Sequence, residues 1–234
     1  MRGHDNAALN QGLVLSLPFA EGTGTVTRDV SKTHTPFTFG NHTAWTQLAS
    51  GLWVLRFDGV DDYATGAGAP ISVPGPCTWA AWVRWGAILN ARGESYALST
   101  GDQSAAAGTE GGLMINMVAT RYVLVSIGFG SYNRPRSTTD SAIADTAGYY
   151  FHVGVYDRAQ LRSYLNGIQQ IDVTAYTTAI PATTKAAKLG TDSWDGVTWV
   201  PLNGDVALPR IWSRALAPAE VMSIFNAERS LFGV

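Results

Sequence analysis

The segment Leu161 to Val173 constrains the fold of this chain more than any other. Leu161-Arg162-Ser163-Tyr164-Leu165 and Gln169 to Val173 both read as strands, and Asn166-Gly167 lies between them. Asn-Gly supplies the positive-φ residues that a tight hairpin turn demands, so the pattern predicts two antiparallel strands. The same period of two recurs along the chain. It runs through Leu13 to Leu17, Phe37 to Phe39, Trp53 to Phe57, Trp79 to Trp85, Leu113 to Val118, Tyr122 to Phe129, Tyr149 to Tyr156 and Ala207 to Trp212. These runs are rich in Val, Ile, Tyr, Phe and Trp and are bounded by Gly, Pro, Asn or Asp, which marks them as strands. Asn203-Gly204, Asp58-Gly59 and Asp195-Gly196 are read as further turns.

A helix is predicted only near the end. Val221, Ile224 and Phe225 share one helical face, Pro218 suits the first helical position, and Glu220 falls in the first turn. Ala217 occupies the N-cap position and has no side chain to cap with, so packing must hold this helix, with Leu216 and Val221 as a hydrophobic staple. No linker or internal repeat divides the chain. The expectation is a polar arm at 1–10 followed by one domain at 11–234, with Gly101 to Gly112 as a long surface loop. Hydrophobic residues make up 46% of the chain and charged residues 15%, which is enough apolar material for a large core.

The formal net charge of -2, with no cluster of Lys and Arg, argues against nucleic acid as a partner. Cys77 is the single cysteine, so no intrachain disulfide can form, and it reads as a small buried hydrophobe. No apolar run reaches the length of a membrane span. Met1 to Gln11 is polar and shows no signal peptide.

Four stretches in order resemble the laminin-G-like domains of the concanavalin A-like superfamily, in their bacterial and phage form. The first is Leu13-Val14-Leu15-Ser16-Leu17-Pro18-Phe19-Ala20-Glu21-Gly22-Thr23-Gly24 with Arg28-Asp29-Val30-Ser31. The second is Leu55-Arg56-Phe57-Asp58-Gly59-Val60-Asp61-Asp62-Tyr63. The third joins Phe151 to Asp157 with Leu161 to Gly167, and the fourth runs from Leu202-Asn203-Gly204-Asp205 through Arg210 to Leu216 and Glu220. The resemblance implies an all-β, two-sheet antiparallel jelly-roll sandwich with one short C-terminal helix. It also implies that Arg210 pairs with a carboxylate.

Calcium is the cofactor that the resemblance suggests, through an early Asp-x-Ser step and an acidic position in the last strand. Asp29 and Ser31 fit the first element. The second is substituted by Ala207 and Leu208, which leaves Asp205, on the same face as Ala207, as the stand-in ligand. Glycan-binding candidates come from residue chemistry, because sugar sites combine aromatic platforms with planar polar groups. Asp192, Trp194, Asp195 and Trp199 share one Gly-bounded segment, and Tyr132 and Asn133, followed by Arg134, form another. The opposing reading has the two tryptophans covering the sandwich edge or packing against another subunit.

A catalytic pair of strand carboxylates of the glycosidase kind is not found; Glu21, Glu94, Glu110, Glu220 and Glu228 are scattered. Tyr150 to Tyr156 resembles a lyase string with His152 in place of its Lys, but fits the laminin-G pattern better. His4, His34, His42 and His152 are too dispersed for a metal cluster readable from sequence. The expected function is non-enzymatic. It is surface binding or surface building, as a virion or particle component (decoration or tail protein) with glycan adhesion. The alternatives are a secreted carbohydrate-binding lectin or adhesin module and, further off, a polysaccharide lyase or glycoside hydrolase. Expected partners are cell-surface polysaccharide or capsid and tail proteins, with homo-oligomers allowed. The expected location is a virion or an extracellular surface, and Met1 to Asn10 is a candidate contact arm.

Overall fold

A computed structural model describes residues 7–67, 70–101, 111–128, 135–143, 146–192 and 200–234. It contains two eight-stranded sheets in which every ladder is antiparallel. The strands are β1 (Leu13–Ser16), β2 (Val26–Thr27), β3 (Phe37–Gly40), β4 (Ala44–Gln47), β5 (Trp53–Asp58), β6 (Tyr63–Gly66), β7 (Cys77–Trp85) and β8 (Glu94–Ser99). They continue as β9 (Gly112–Val118), β10 (Val123–Gly128), β11 (Arg136–Thr138), β12 (Tyr150–Tyr156), β13 (Gln160–Leu165), β14 (Ile168–Ala175), β15 (Lys188–Leu189) and β16 (Asn203–Trp212), and a single helical turn, α1 (Ala7–Asn10), precedes them. Sheet one has the order β14-β13-β12-β7-β16-β5-β4, with β1 also on β16; sheet two has the order β11-β10-β9-β8-β15-β6-β3-β2. The two-sheet antiparallel sandwich that the resemblance implies is present.

The Asn166-Gly167 hairpin forms as expected between β13 and β14, with φ of 49° and 82° at its two turn residues. Gly59 likewise turns at φ 84°. Asn203-Gly204 is different: it opens β16 instead of turning the chain. Gly204 pairs with Phe57 on one side and Trp85 on the other, and a Cβ there would lie 2.1 Å from the Arg84 carbonyl oxygen. Glycine is needed for backbone approach within a ladder, which the dipeptide alone does not distinguish from a turn.

Between the sheets, Leu15, Phe37, Phe57, Trp79, Trp85 and Ile115 belong to one buried cluster. The Trp79 indole N–H crosses the sandwich to donate to the Met114 carbonyl at 3.0 Å. A second apolar cluster covers the outer face of sheet one, where Trp82, Phe151, Tyr164 and Trp212 meet Val221 and Ile224 of helix α2 (Pro218–Glu228). Phe232, in the 3₁₀ turn that follows, stacks on Trp82 at 4.1 Å. With both faces covered, β7 is buried at every position except the partly exposed Arg84. That explains the near-continuous apolar run Cys77 to Trp85.

Helix α2 starts as expected without a side-chain cap from Ala217. Glu220 supplies half of a capping box by accepting the Ala217 N–H at 2.8 Å, and Arg214 holds the same carboxylate. Leu216 and Val221 are both buried in the outer cluster. Part of the expected N-terminal arm also docks on the sandwich. Leu9 is buried there, and its carbonyl accepts the Trp212 indole N–H at 2.7 Å. Cys77 is buried, which pushes its thiol pKa up to about 12. No helix among the described residues is long and apolar enough to cross a membrane.

Candidate functional site

Alternation along β9 and β10 divides their side chains between two faces. Leu113, Ile115, Met117, Val123, Val125 and Ile127 point into the inter-sheet core. Met114, Asn116, Leu124 and Ser126 therefore lie on the outer face of sheet two. There Tyr96, Met114 and Val200 form a small apolar cluster. Asn116 is registered opposite Tyr96 of β8 and Leu124 of β10, and Ser126 opposite Met114 and Arg136.

This face is unusual in its hydrogen bonding. Both amide atoms of Asn116 and the hydroxyls of Ser126 and Thr191 are buried without a partner among the described residues. A buried polar group left unpaired costs about 1–3 kcal/mol, so three residues of this kind on or beside one face stand out. Thr191 follows Gly190, whose N–H donates to the Ala97 carbonyl of β8. Tyr96 directs its hydroxyl to Glu94 at 2.7 Å. At the sheet edge Arg136 is exposed, and its guanidinium forms no ion pair among the described residues. The arrangement sets buried amide and hydroxyl groups beside the buried Tyr96 ring, with the exposed Arg136 guanidinium at the margin, a donor and acceptor set of the kind that matches a polyhydroxylated molecule.

Of the glycan candidates read from sequence, Asp192 is buried beside Thr191, at one margin of this face. Trp194, Asp195, Trp199, Tyr132 and Asn133 lie outside the described residues. Asn116 and Ser126 are hidden inside mainly apolar strands, and the strand that carries Tyr96 is not among those the sequence pattern predicts. The available signal was Asn116 itself, one amide inside the apolar run Leu113-Met114-Ile115-Asn116-Met117-Val118.

The calcium candidates occupy two separate places. Asp29 ties a turn together: its carboxylate accepts the backbone N–H groups of Ser16, Ser31 and Thr35 and the hydroxyls of Ser31 and Thr33. Asp205, fully buried, accepts from Arg56 Nε at 2.9 Å, Arg84 Nε at 2.7 Å and the Tyr149 hydroxyl at 2.6 Å. Ser16 is registered with Arg210, five residues beyond Asp205 on β16, so the two carboxylates sit at different places along the strand. A cation at either would compete with the protein donors already there. Burial alone would push the Asp205 pKa up, but hydrogen bonds from Arg56, Arg84 and Tyr149 outweigh it and hold the carboxyl below its ordinary range.

Several other titratable groups have structural partners. His42, Asp61 and Asp62 bring ligand atoms within 4.8 Å of one another, a cluster that the dispersed histidines do not announce. Asp62 uses both oxygens to accept the backbone N–H groups of His42 and Asp58, which ties two turns together. Arg210 pairs with a carboxylate as expected, namely Glu228, which also accepts the Trp82 indole N–H at 2.8 Å. His152 is 1% exposed and lies in the inter-sheet core. Burial lowers its pKa to about 3, and it is far from the solvent contact that proton exchange with a polymer substrate requires.

Comparison with known proteins bears on the whole sandwich. Residues 58–222 match the family model for laminin-G-type domains of the concanavalin A-like lectin/glucanases superfamily. No curated protein is similar enough in sequence to count as a relative. Among solved structures, the chain is similar to botulinum neurotoxin type C, described as entering cells by interaction with two ganglioside molecules. The TM-score is 0.71 at 13% identity over 94% of this chain and 52% of that one. It is also similar to domain 4 of the arabinanase AbnA from Geobacillus stearothermophilus, solved with arabinotriose, with TM-score 0.69, 16% identity, and coverage of 91% and 97%. A third is the binding domain of Paraclostridial Mosquitocidal Protein 1, with TM-score 0.69, 16% identity, and coverage of 94% and 53%. The chain spans about half the length of the neurotoxin and mosquitocidal chains.

Proposed function

Because the chain belongs to the concanavalin A-like lectin/glucanase superfamily, we propose that it is a non-catalytic, lectin-like module that binds carbohydrate on the outer face of sheet two. The observation that carries this reading is the set of buried, unpartnered polar groups on Asn116, Ser126 and Thr191 next to the Tyr96 ring. Sugar hydroxyls can both donate and accept, so a glycan admitted to this face would satisfy all three, and because each is buried in the free protein, binding has to open the face first. Two neighbours in fold support the same class of ligand: one is described with gangliosides, the other was solved with arabinotriose. The burial of His152 and the structural engagement of Glu21, Glu94, Glu220 and Glu228 support a binding role over hydrolysis or elimination.

A glycan array carrying gangliosides and arabino-oligosaccharides tests the proposal, followed by titration of the best hit against the wild type and the Asn116→Ala and Arg136→Ala variants. Binding that falls about tenfold or more in Asn116→Ala supports it. An array with no hit, together with recovery of the protein on capsids or tails, would favour the particle building block instead. Calorimetric titration of chelator-treated protein with Ca²⁺ tests the calcium expectation in parallel. A metal-dependent rise in melting temperature would restore a metal to the site.

A further inference from the structure

On the opposite side of the molecule from that face, a cleft of about 870 Å³ opens between β1, the start of β5, the middle of β16 and α2. Its volume is within the range of small-molecule sites, roughly 300–1,000 Å³. The walls are mainly apolar, with Leu13, Leu17, Trp53, Leu208, Ile224 and Leu231 among them. The ladder of β16 is irregular here. Its pairing shifts register between Ala207 and Arg210, and Leu208 sits at φ 48°. Pro209, which has no N–H, accepts a bond from Leu17 N–H through its carbonyl.

Three charged residues line the cleft: Lys32, Arg210 and Glu228. Glu228 is committed to Arg210 and Trp82. Arg210 gives one N–H to Glu228 and its Nε–H to the Leu208 carbonyl at 3.2 Å. A guanidinium has five N–H groups, so three are not engaged among the described residues. Lys32 is exposed and has no ion pair among the described residues. Both cations lie toward the same end, since Ser16 is registered opposite Arg210 and its carbonyl accepts the Val30 N–H, two residues before Lys32. The lining thus carries two positive charges and one negative.

We propose that this cleft binds a small amphipathic anion, with its apolar body along Leu13, Trp53 and Leu208 and its carboxylate or sulfonate at Lys32 and Arg210. A single negative charge completes the balance of the lining, and the apolar walls exclude water from the body of the ligand. The site is independent of the carbohydrate face and involves none of its residues.

The test uses the full chain with laurate, dodecanol and dodecylammonium, each kept below its micelle concentration. Binding is followed by calorimetry and tryptophan fluorescence, because Trp53 and Trp212 both line the cleft. Laurate is expected to bind one per chain and about tenfold more tightly than the ammonium. Lys32→Ala, on an unpaired surface residue, is expected to weaken laurate about threefold to fivefold while leaving the melting temperature unchanged. Ala227→Trp fills the cleft from an exposed position on α2 and is expected to abolish binding. Equal binding of laurate and dodecylammonium would overturn the proposal, as would laurate affinity unchanged in folded Ala227→Trp.

Discussion

The indole N–H of Trp85 donates to Nε2 of His152 at 2.9 Å, in the interior between the two sheets. The imidazole must stay neutral to accept that bond, and burial lowers its pKa from 6.5 to about 3. The unfolded chain therefore binds a proton that the folded chain refuses, and stability falls as pH drops from about 6.5 toward 3. The slope is about 1.4 kcal/mol per pH unit. Urea denaturation between pH 7 and pH 4 should show this decline. His152→Gln, which keeps an acceptor for Trp85, should flatten it.

A second acid transition belongs to Asp205. Its carboxyl is held below its ordinary range, so its contribution is complete above about pH 4 and is lost as pH falls through the lowered value. Asp205→Asn leaves the Arg84 and Arg56 guanidiniums without their counter-charge. Breaking a buried pair from one side costs about 3–5 kcal/mol, and the exposure of Arg56 places this one toward the lower figure. Thermal melts of the variant at pH 7 measure it directly.

Ser126→Ala removes a buried hydroxyl that has no partner among the described residues. The variant should be as stable as the wild type or more so, by up to about 1 kcal/mol, while losing affinity for any glycan bound on that face. Denaturant midpoints and glycan titration of the same preparation would show the two effects moving in opposite directions.

Gly154 pairs directly with Trp79 across β12 and β7, and a Cβ there would lie 2.4 Å from the indole ring. Gly154→Ala must displace a ring that is fully buried and hydrogen-bonded to the opposite sheet. A loss of about 2–3 kcal/mol is expected, with a red-shifted tryptophan emission as the ring moves.

Much of the sandwich was legible because strand alternation and turn chemistry are local. Leu161 to Val173 needs no distant partner to declare itself a hairpin, and the helix from Pro218 follows from spacing and its proline. What lay beyond reach was what covers a strand. Cys77 to Trp85 is apolar throughout, and only the distant Val221, Ile224 and Phe232 explain why. The site was harder still. Asn116, Ser126 and Thr191 come from three separate segments, and each is an ordinary residue until the fold withholds its hydrogen-bond partner. Asp205 read as a stand-in metal ligand, since nothing near it in sequence announces Arg56 or Arg84.

Strand β16 lies in the middle of sheet one, between β7 on one side and β5 and β1 on the other. A ribosome therefore delivers the central plank of the sheet after the fifteen other described strands. Until Asn203 to Trp212 emerges, β5 and β7 present bare edges to solvent, and β1 has no neighbour to join. Sheet one therefore cannot close until its last strand is made, and chaperone shielding of the bare edges in that interval bears on how much of the chain reaches the native state.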